Sequence, residues 1–588
     1  MIDSAGKDPL ETTALSKPTR WMFEVEVGLL LLLVIGLYSA RLTALPVHGE
    51  ESRWARGAAL MLETGDWIVP RQQRQVFPER PPLSSWAMAL AGAVRGKVDS
   101  WAIRLPSVLG VLLTTLLIYG YARTMTTRFG ALAAAIVYAT MGQVLQLGRR
   151  GESEALFTLF VSSSLLTWHW GYARHRRSLS LWAIPYTLAA FGALVKGLQA
   201  PIYLGATTFV FLAIRRDWKT LFSWSHAAAM LLFAVIVGAW AIPFCLATDA
   251  ESFFAIWAGL AIDRMLMSGL VQHLVTYPGE LIGCLLPWSV LLFELPRKRF
   301  RESLNEAGEH VQYLLVAIAV TFPSVWLVAG ARGRYYMPLF PCFAILIGLV
   351  IQRCTRLDAD PAARRGWQLF VLGLAITVTI IGIALPAASL VPLKQVDGII
   401  QPVAFGLSLF AAAVITAAIL LWSRRRTSAR SATVALLSLG IFVGLFNDGA
   451  LVNIRLNDSH DPSRAIAEVK ATLPQADRLV SFGPINHRFA YFYETTITEL
   501  PWPAADDEVA TDVEYFCFDR HIHDTAAVRA NGRGRTWSQT PGLLPFEWEQ
   551  VDAIGCDRSR KDPFDRTVVI GRIVRRRIDN AETRSLAQ

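Results

Sequence analysis

Long apolar runs recur along the chain from residue 22 to residue 451, separated by shorter polar links. They fall near 22–42, 103–121, 129–147, 155–171, 180–195, 198–214, 225–247, 279–295, 311–330, 337–352, 367–390, 402–423 and 432–451. A helix that crosses the hydrocarbon core takes roughly 20 residues, so the pattern predicts about thirteen spans. One set of links is short and basic: Arg123/Arg128, Arg174/Arg176/Arg177, Arg215/Arg216/Lys219, Arg297/Lys298/Arg299/Arg301, Arg353/Arg356/Arg364/Arg365 and Arg424/Arg425/Arg426/Arg430. Lysine and arginine mark the cytoplasmic side of a membrane protein. With Lys7, Lys17 and Arg20 at the start, all these links share that side if the N-terminus is cytoplasmic. An odd number of spans then places the C-terminus outside.

Two outer links are long. One covers 43–102; the other, 248–280, contains ESFFAIWAGLAIDRMLM, the pattern of an amphipathic helix lying on the outer surface. After Leu451 the composition becomes that of soluble protein. Asp461-Pro462-Ser463 opens a helix. Strand-like runs follow at 478–483, 495–500, 514–519 and 567–576, with a helix at 486–494 between the first two. The predicted architecture is a polytopic all-α membrane part, residues 1–451, followed by a small soluble α/β domain, residues 452–588, outside the cytoplasm.

Composition agrees. The chain has 588 residues, 53% hydrophobic and only 18% charged, with a mean hydropathy of +0.37, too apolar for a soluble protein. The formal charge of +10 raises nucleic acid as a partner. The basic residues, however, sit in clusters between apolar runs, where membrane orientation accounts for them, and no nucleic-acid partner is predicted. The first run is long enough to span and lacks a small-residue cleavage site, so no cleavable signal peptide is expected. The six cysteines show no metal-like spacing. Cys517 and Cys556 lie in the part placed outside the cytoplasm, where a disulfide between them is chemically allowed. His487, His521 and His523 read as surface histidines.

Candidate chemistry gathers in residues 45–86, a polar loop between two apolar runs that is punctuated by Trp and Pro. If 50–65 is a short helix, Glu50 shares a face with Arg53, and Arg53 with Arg56. Pro78, Pro81 and Pro82 then present Glu79 and Arg80 on extended backbone. The same outer side carries Arg149/Arg150 with Glu152/Glu154, Lys196, Asp249/Glu251/Asp263/Arg264 with His273, and Arg332/Arg334. Charges against lipid are costly unless used. Arginines converging on one outer face suit an anionic ligand at the outer leaflet; snorkelling to headgroups is the plainer use of each.

Three motifs in this loop stand in order: Glu50-Glu51-Ser52-Arg53-Trp54-Ala55, Gly65-Asp66-Trp67-Ile68-Val69-Pro70 and Arg80-Pro81-Pro82-Leu83-Ser84-Ser85-Trp86. Later come Arg104-Leu105-Pro106-Ser107, Arg149 with Glu154, Lys196-Gly197, Leu286-Pro287-Trp288, and Arg334-Tyr335-Tyr336-Met337-Pro338. The ordered set resembles the membrane-integral GT-C glycosyltransferases related to the lipid A aminoarabinose transferases and, more distantly, the protein O-mannosyltransferases. The resemblance implies a bacterial inner-membrane enzyme that moves a sugar from a polyprenyl-phosphate donor to an acceptor outside the cytoplasm. It carries the catalytic carboxylate to Glu50, with Glu154 orienting the acceptor or sharing its proton. It places Arg53, Arg80, Lys196, Arg334 and Tyr335 near the donor phosphate, with Glu51, Glu79 and Arg149 completing the substrate-binding set. Two departures stand out. Glu occupies 50 and 154 where the family usually has Asp, one methylene shorter, and Arg80 replaces a Lys, exchanging a point charge for a fork.

Attack from the face opposite the phosphate implies inversion at the anomeric carbon. No cofactor is legible; a divalent metal held by Glu79 and His273 stays open. Two other classes stay open as well. A lipid-linked sugar transporter or flippase would place ionisable groups at the midplane on interrupted helices in repeated halves. The spans here carry few charges and no internal repeat is visible. A non-catalytic polyprenyl-lipid binding protein would keep the charges without turnover. The acceptor is open among a lipid A-like glycolipid, another glycan and a protein.

Overall fold

Hydrocarbon offers a backbone N–H or C=O no partner except another backbone group, so an apolar run in lipid closes its own hydrogen bonds as a helix. The computed structural model describes residues 20–73, 75–76, 81–174, 179–248, 269–302, 304, 307–356, 359–389, 403–473, 478–519, 544–557 and 566–575. Among them, seven helical stretches are long and apolar enough to cross a membrane: Trp21–Ser39, Ser100–Ala122, Trp218–Ala247, Gly333–Cys354, Pro361–Ala388, Phe405–Arg425 and Ala429–Leu456. An eighth results if Leu270–Cys284 and Trp288–Glu294, bent by 108° at the Leu286-Pro287-Trp288 motif, count as one span.

The sequence pattern counted about thirteen. The difference has local causes. The run 129–147 breaks at Thr140 and Met141 into Arg128–Ala139 and Gly142–Leu147. The run 311–330 is interrupted where Gly308–Thr321 gives way to Pro323–Trp326. Glu154–Ala173 is 20 residues long but carries Thr158, Ser162, Ser163, Ser164, Thr167 and His169. Several of these hydroxyls bond back to the preceding turn, as Ser162 does to Thr158 O at 2.6 Å.

The elements that matter to the site are α1 (Arg20–Ser39), α2 (Glu50–Thr64), α3 (Leu83–Arg95), α4 (Ser100–Ala122), α5 (Arg128–Ala139), α6 (Gly142–Leu147), α7 (Glu154–Ala173) and α8 (Ser180–Lys196). The helix expected over 50–65 is α2, bracketed by Gly49 at φ +58° and Gly65 at φ +71°, conformations that suit glycine. Its inner face buries Trp54, Ala55, Ala58 and Met61 against Met88 and Ala89 of α3 and Ile103 of α4. Residues 71–72 and 75–76 form a two-stranded ribbon, β1 and β2. Most of the expected amphipathic loop, 249–268, lies outside the described residues.

Beyond residue 451, β3 (Val480–Phe482), β4 (Thr498–Leu500), β5 (Tyr515–Asp519), β6 (Glu547–Asp557) and β7 (Arg566–Arg575) form one sheet in the order β4-β3-β5-β7-β6. β3 runs parallel to both its neighbours and β7 antiparallel to both of its own. The period of two along β5 sends Tyr515 and Cys517 into one core, with Ile466, Val469 and Phe489. Phe516 and Phe518 enter the opposite one, with Phe482 and Trp502. Four of these strands and the helix His487–Tyr493 fall where the sequence pattern put them; β6 was not anticipated. The disulfide that the sequence allowed between Cys517 and Cys556 is not formed, and both side chains are buried. β7 lies between β5 and β6, and Cys517 stands level with Ile570 while Cys556 falls opposite Arg566–Thr567, so the two cysteines are separated by at least two strand spacings, about 10 Å or more, beyond the ~7 Å Cα reach of a disulfide.

Candidate functional site

The first turn of α2 divides its two acids between different tasks. Glu50 is partly exposed and pairs with Arg53 one turn on, at 3.1 Å. Glu51 is fully buried. It accepts two bonds of 2.9 Å from Arg104 Nε and Nη2 and one of 2.7 Å from the Gly151 N–H. Arg104 spends its remaining donors on the carbonyls of Leu42, Leu45 and Pro46, at 2.6, 2.9 and 3.2 Å. Burial alone would push the Glu51 carboxyl up; the Arg104 charge and hydrogen bonds outweigh it and hold the group below the ordinary carboxylate range. Sequence reasoning placed Glu51 with the substrate. In the structure it ties α2 to α4 and to the turn before α7.

That turn carries the second half of the site. Glu154 opens α7, and its Oε1 accepts a 3.0 Å bond from Lys196 Nζ, with Arg334 Nε 3.8 Å away. Glu152 accepts from Arg334 Nη1 at 2.7 Å and contacts Arg150 at 3.4 Å. Lys196 is the last residue of α8, and the Gly197 that follows sits at φ +109°, which only glycine adopts freely. Its ammonium lies 4.9 Å from the centre of the Tyr335 ring, and the Arg334 guanidinium 5.5 Å from the same ring. Glu154, Lys196, Arg334 and Tyr335, distant in sequence, thus meet, and α2 is pinned to the same turn through Glu51 and Gly151.

The two carboxyls differ. Burial, and then the Glu154 charge, push Glu152 above its ordinary range. Glu154 is buried too, but Lys196 and then Arg334 overcome that cost and hold it low. Neighbouring acids with such opposed environments can pass one proton between them. The cations, partly matched by these acids, offer a phosphate several closely spaced donors.

The other candidates are dispersed. Glu79 and Arg80 lie outside the described residues, as do His521 and His523. Arg149 is engaged elsewhere: it ion-pairs with Asp448 and donates to the carbonyls of Leu37 and Ala40. His273 is buried, with Nε2 against the Val325 carbonyl at 3.2 Å. Among the described residues no group of three or more His, Cys, Asp and Glu has metal-holding geometry. Sequence reasoning missed Arg104 as the partner of Glu51, Glu152 as the partner of Arg334, and Asp448 as the partner of Arg149. An Arg or Asp inside an apolar run is itself a signal that a partner exists, but not of which one.

Comparison with known proteins adds to the geometry. A family model described as dolichyl-phosphate-mannose-protein mannosyltransferase matches residues 79–242. An undecaprenyl phosphate-alpha-4-amino-4-deoxy-L-arabinose arabinosyl transferase of Pseudomonas aeruginosa (strain LESB58) is 29% identical over 360 residues, covering 59% of this chain and 63% of that protein. The enzyme of the same name from Edwardsiella ictaluri is 26% identical over 346 residues, 57% of this chain and 61% of that protein. The crystal structure of ArnT from Cupriavidus metallidurans bound to undecaprenyl phosphate matches with a TM-score of 0.63, over 94% of this chain and 98% of that one, at 15% identity. The chain is similar to the ArnT glycosyltransferases over part of its length. Its alignment spans less than two thirds of the length of the two arabinosyl transferases, 63% and 61%. The fold shared with ArnT extends further, across the helices and the C-terminal sheet alike.

Proposed function

We propose that the protein is an integral-membrane glycosyltransferase that moves a sugar from a polyprenyl-phosphate donor to an acceptor on the non-cytoplasmic side, with inversion at the anomeric carbon. One observation carries the reading: Lys196, Arg334 and Tyr335 converge on Glu152 and Glu154 beside the turn to which the Glu50 helix is tethered. The names of the ArnT-type relatives support the donor class. The N-terminus is cytoplasmic and the C-terminal sheet outside in this reading, and the helical bundle sits in the inner membrane.

In the transfer step an acceptor hydroxyl oxygen attacks the anomeric carbon. The new C–O bond forms as the bond to the donor phosphate breaks, and the electron pair leaves with the polyprenyl phosphate. Glu50 takes the hydroxyl proton. Lys196 and Arg334, with Arg53 and Arg80, meet the charge that grows on the phosphate, an effect commonly worth several kcal/mol. Glu154, held as a carboxylate, orients the acceptor.

The test is Glu50→Gln in full-length protein, assayed with a radiolabelled polyprenyl-phosphate sugar. General-base catalysis contributes roughly 10²–10⁴-fold, so a loss of that size is expected with folding unchanged. Full activity in the variant removes Glu50 from the mechanism.

A further inference from the structure

Arginines accumulate at a second place on the same face. Arg149, nearly buried, is locked between α1 and Asp448 by the contacts described above. Arg41, just past the end of α1, is exposed and donates to the Asp448 carbonyl. Among the described residues, the hydrogen bond or ion pair that Arg150 makes is with Glu152 at 3.4 Å, whose other oxygen already serves Arg334. The Arg150 Nε is buried without a hydrogen-bond partner among the described residues. Arg455 lies in the helix Val452–Asp458 that follows Asp448, is half-buried, and stands close enough to Arg149 and Arg150 for their charges to act on it. No carboxylate pairs with it among the described residues.

Among the described residues, only Asp448 and part of Glu152 stand against these four guanidinium groups. Such an excess, at the ends of two membrane helices, calls for an anion. The surface beneath says of what kind. α1 and the neighbouring helix Ala429–Phe446 pack together and expose Leu32, Ile35 and Ile441 to the surroundings, at 72%, 49% and 60%. Apolar side chains lead up to the cations, as acyl chains lead up to a headgroup.

We propose that Arg41, Arg150 and Arg455 bind the phosphate of a membrane-lipid headgroup at this rim, a site separate from Lys196 and Arg334. The site does not depend on the transfer reaction. Its phosphate takes charge-assisted bonds from the guanidinium donors left unused by Asp448 and Glu152.

The experiment uses full-length protein, delipidated in detergent and offered phosphatidylglycerol, diacylglycerol or inorganic phosphate, with retained ligand counted by native mass spectrometry. Phosphatidylglycerol is expected to stay bound, while diacylglycerol, which has the same chains without phosphate, does not. Arg150→Gln with Arg455→Gln should lower retention by roughly tenfold or more, as loss of a charge-assisted bond implies. Arg150→Lys with Arg455→Lys should keep most of it, which separates lost charge from lost folding. Lys196→Gln should leave retention unchanged. Equal retention in the Gln pair, equal retention of diacylglycerol, or binding of inorganic phosphate alone overturns the proposal. Loss of the lipid in Lys196→Gln also overturns it, by merging this site with the first.

Discussion

Replacing Glu51 by Gln removes one charge from a pair in which neither partner reaches water: the Glu51 and Arg104 side chains are 0% and 2% exposed, joined at 2.9 Å. Breaking a buried pair by removing one partner typically costs about 3–5 kcal/mol, because the other charge is left uncompensated. Gln keeps a carbonyl that can still accept from Gly151, and Arg104 keeps three backbone carbonyls. Glu51→Gln therefore belongs at the lower end, about 3 kcal/mol. Arg104→Met strands the carboxylate with the Gly151 and His48 N–H groups and belongs at the upper end, about 5 kcal/mol. Glu51→Leu with Arg104→Met removes both charges and should recover most of the loss, so the double-mutant cycle is strongly non-additive. The readout is equilibrium unfolding of the purified protein in mixed micelles. pH supplies a second check. A carboxyl whose folded pKa is depressed contributes stability that is complete above its unfolded value and is lost as pH falls through the folded one. The gap between the parent protein and Glu51→Gln should then be constant above the ordinary 4.5 and close only on acidification below it. If Glu51→Gln unfolds like the parent protein yet abolishes transfer, Glu51 takes part in chemistry and its reading as a tie between α2 and α4 is wrong.

Three further outcomes follow from the same contacts. Lys196→Met removes the largest influence holding Glu154 low; its pKa rises, so the acid limb of the pH–rate profile should move to higher pH while the KM for donor increases. His487→Ala deletes the 3.0 Å bond from Nε2 to the Gly49 carbonyl, just before Glu50. kcat should fall severalfold with little change in donor KM, and His487→Gln, which can donate the same bond, should restore it. Cys517 and Cys556 should resist maleimide until denaturant is added and show no mobility change on reduction, since both are buried and no disulfide joins them, and burial pushes the Cys517 thiol well up.

What could be read before the structure was the local part. The helix over 50–65, the turn at Lys196-Gly197 and the strands after residue 478 are written in short-range pattern: a spacing, a glycine, an alternation of two. The meeting of Glu154, Lys196, Arg334 and Tyr335 was legible only through ordered motifs, because no periodicity relates residues 42 and 138 positions apart. Partner choice was the part that stayed hidden. Glu51 and Glu50 are neighbours of identical chemistry, and only the packing of α4 decides that one is enclosed by Arg104 while the other reaches solvent. The span count differs between sequence and structure for a related reason. Summed hydropathy does not register that Thr140-Met141 or Phe322-Pro323 ends a helix.

The helix His487–Tyr493 rests Tyr491 and Phe492 on the apolar face of α2. Tyr491 donates to the Val98 carbonyl at 3.0 Å, and Arg56 donates to Thr496 across the same seam at 3.0 Å. The two portions of the chain are therefore complementary surfaces rather than beads on a string. Expressed as separate fragments cut near residue 459, they should find each other and reassemble. A fragment ending there, on its own, would present Trp54 and its neighbours to solvent as an adhesive patch.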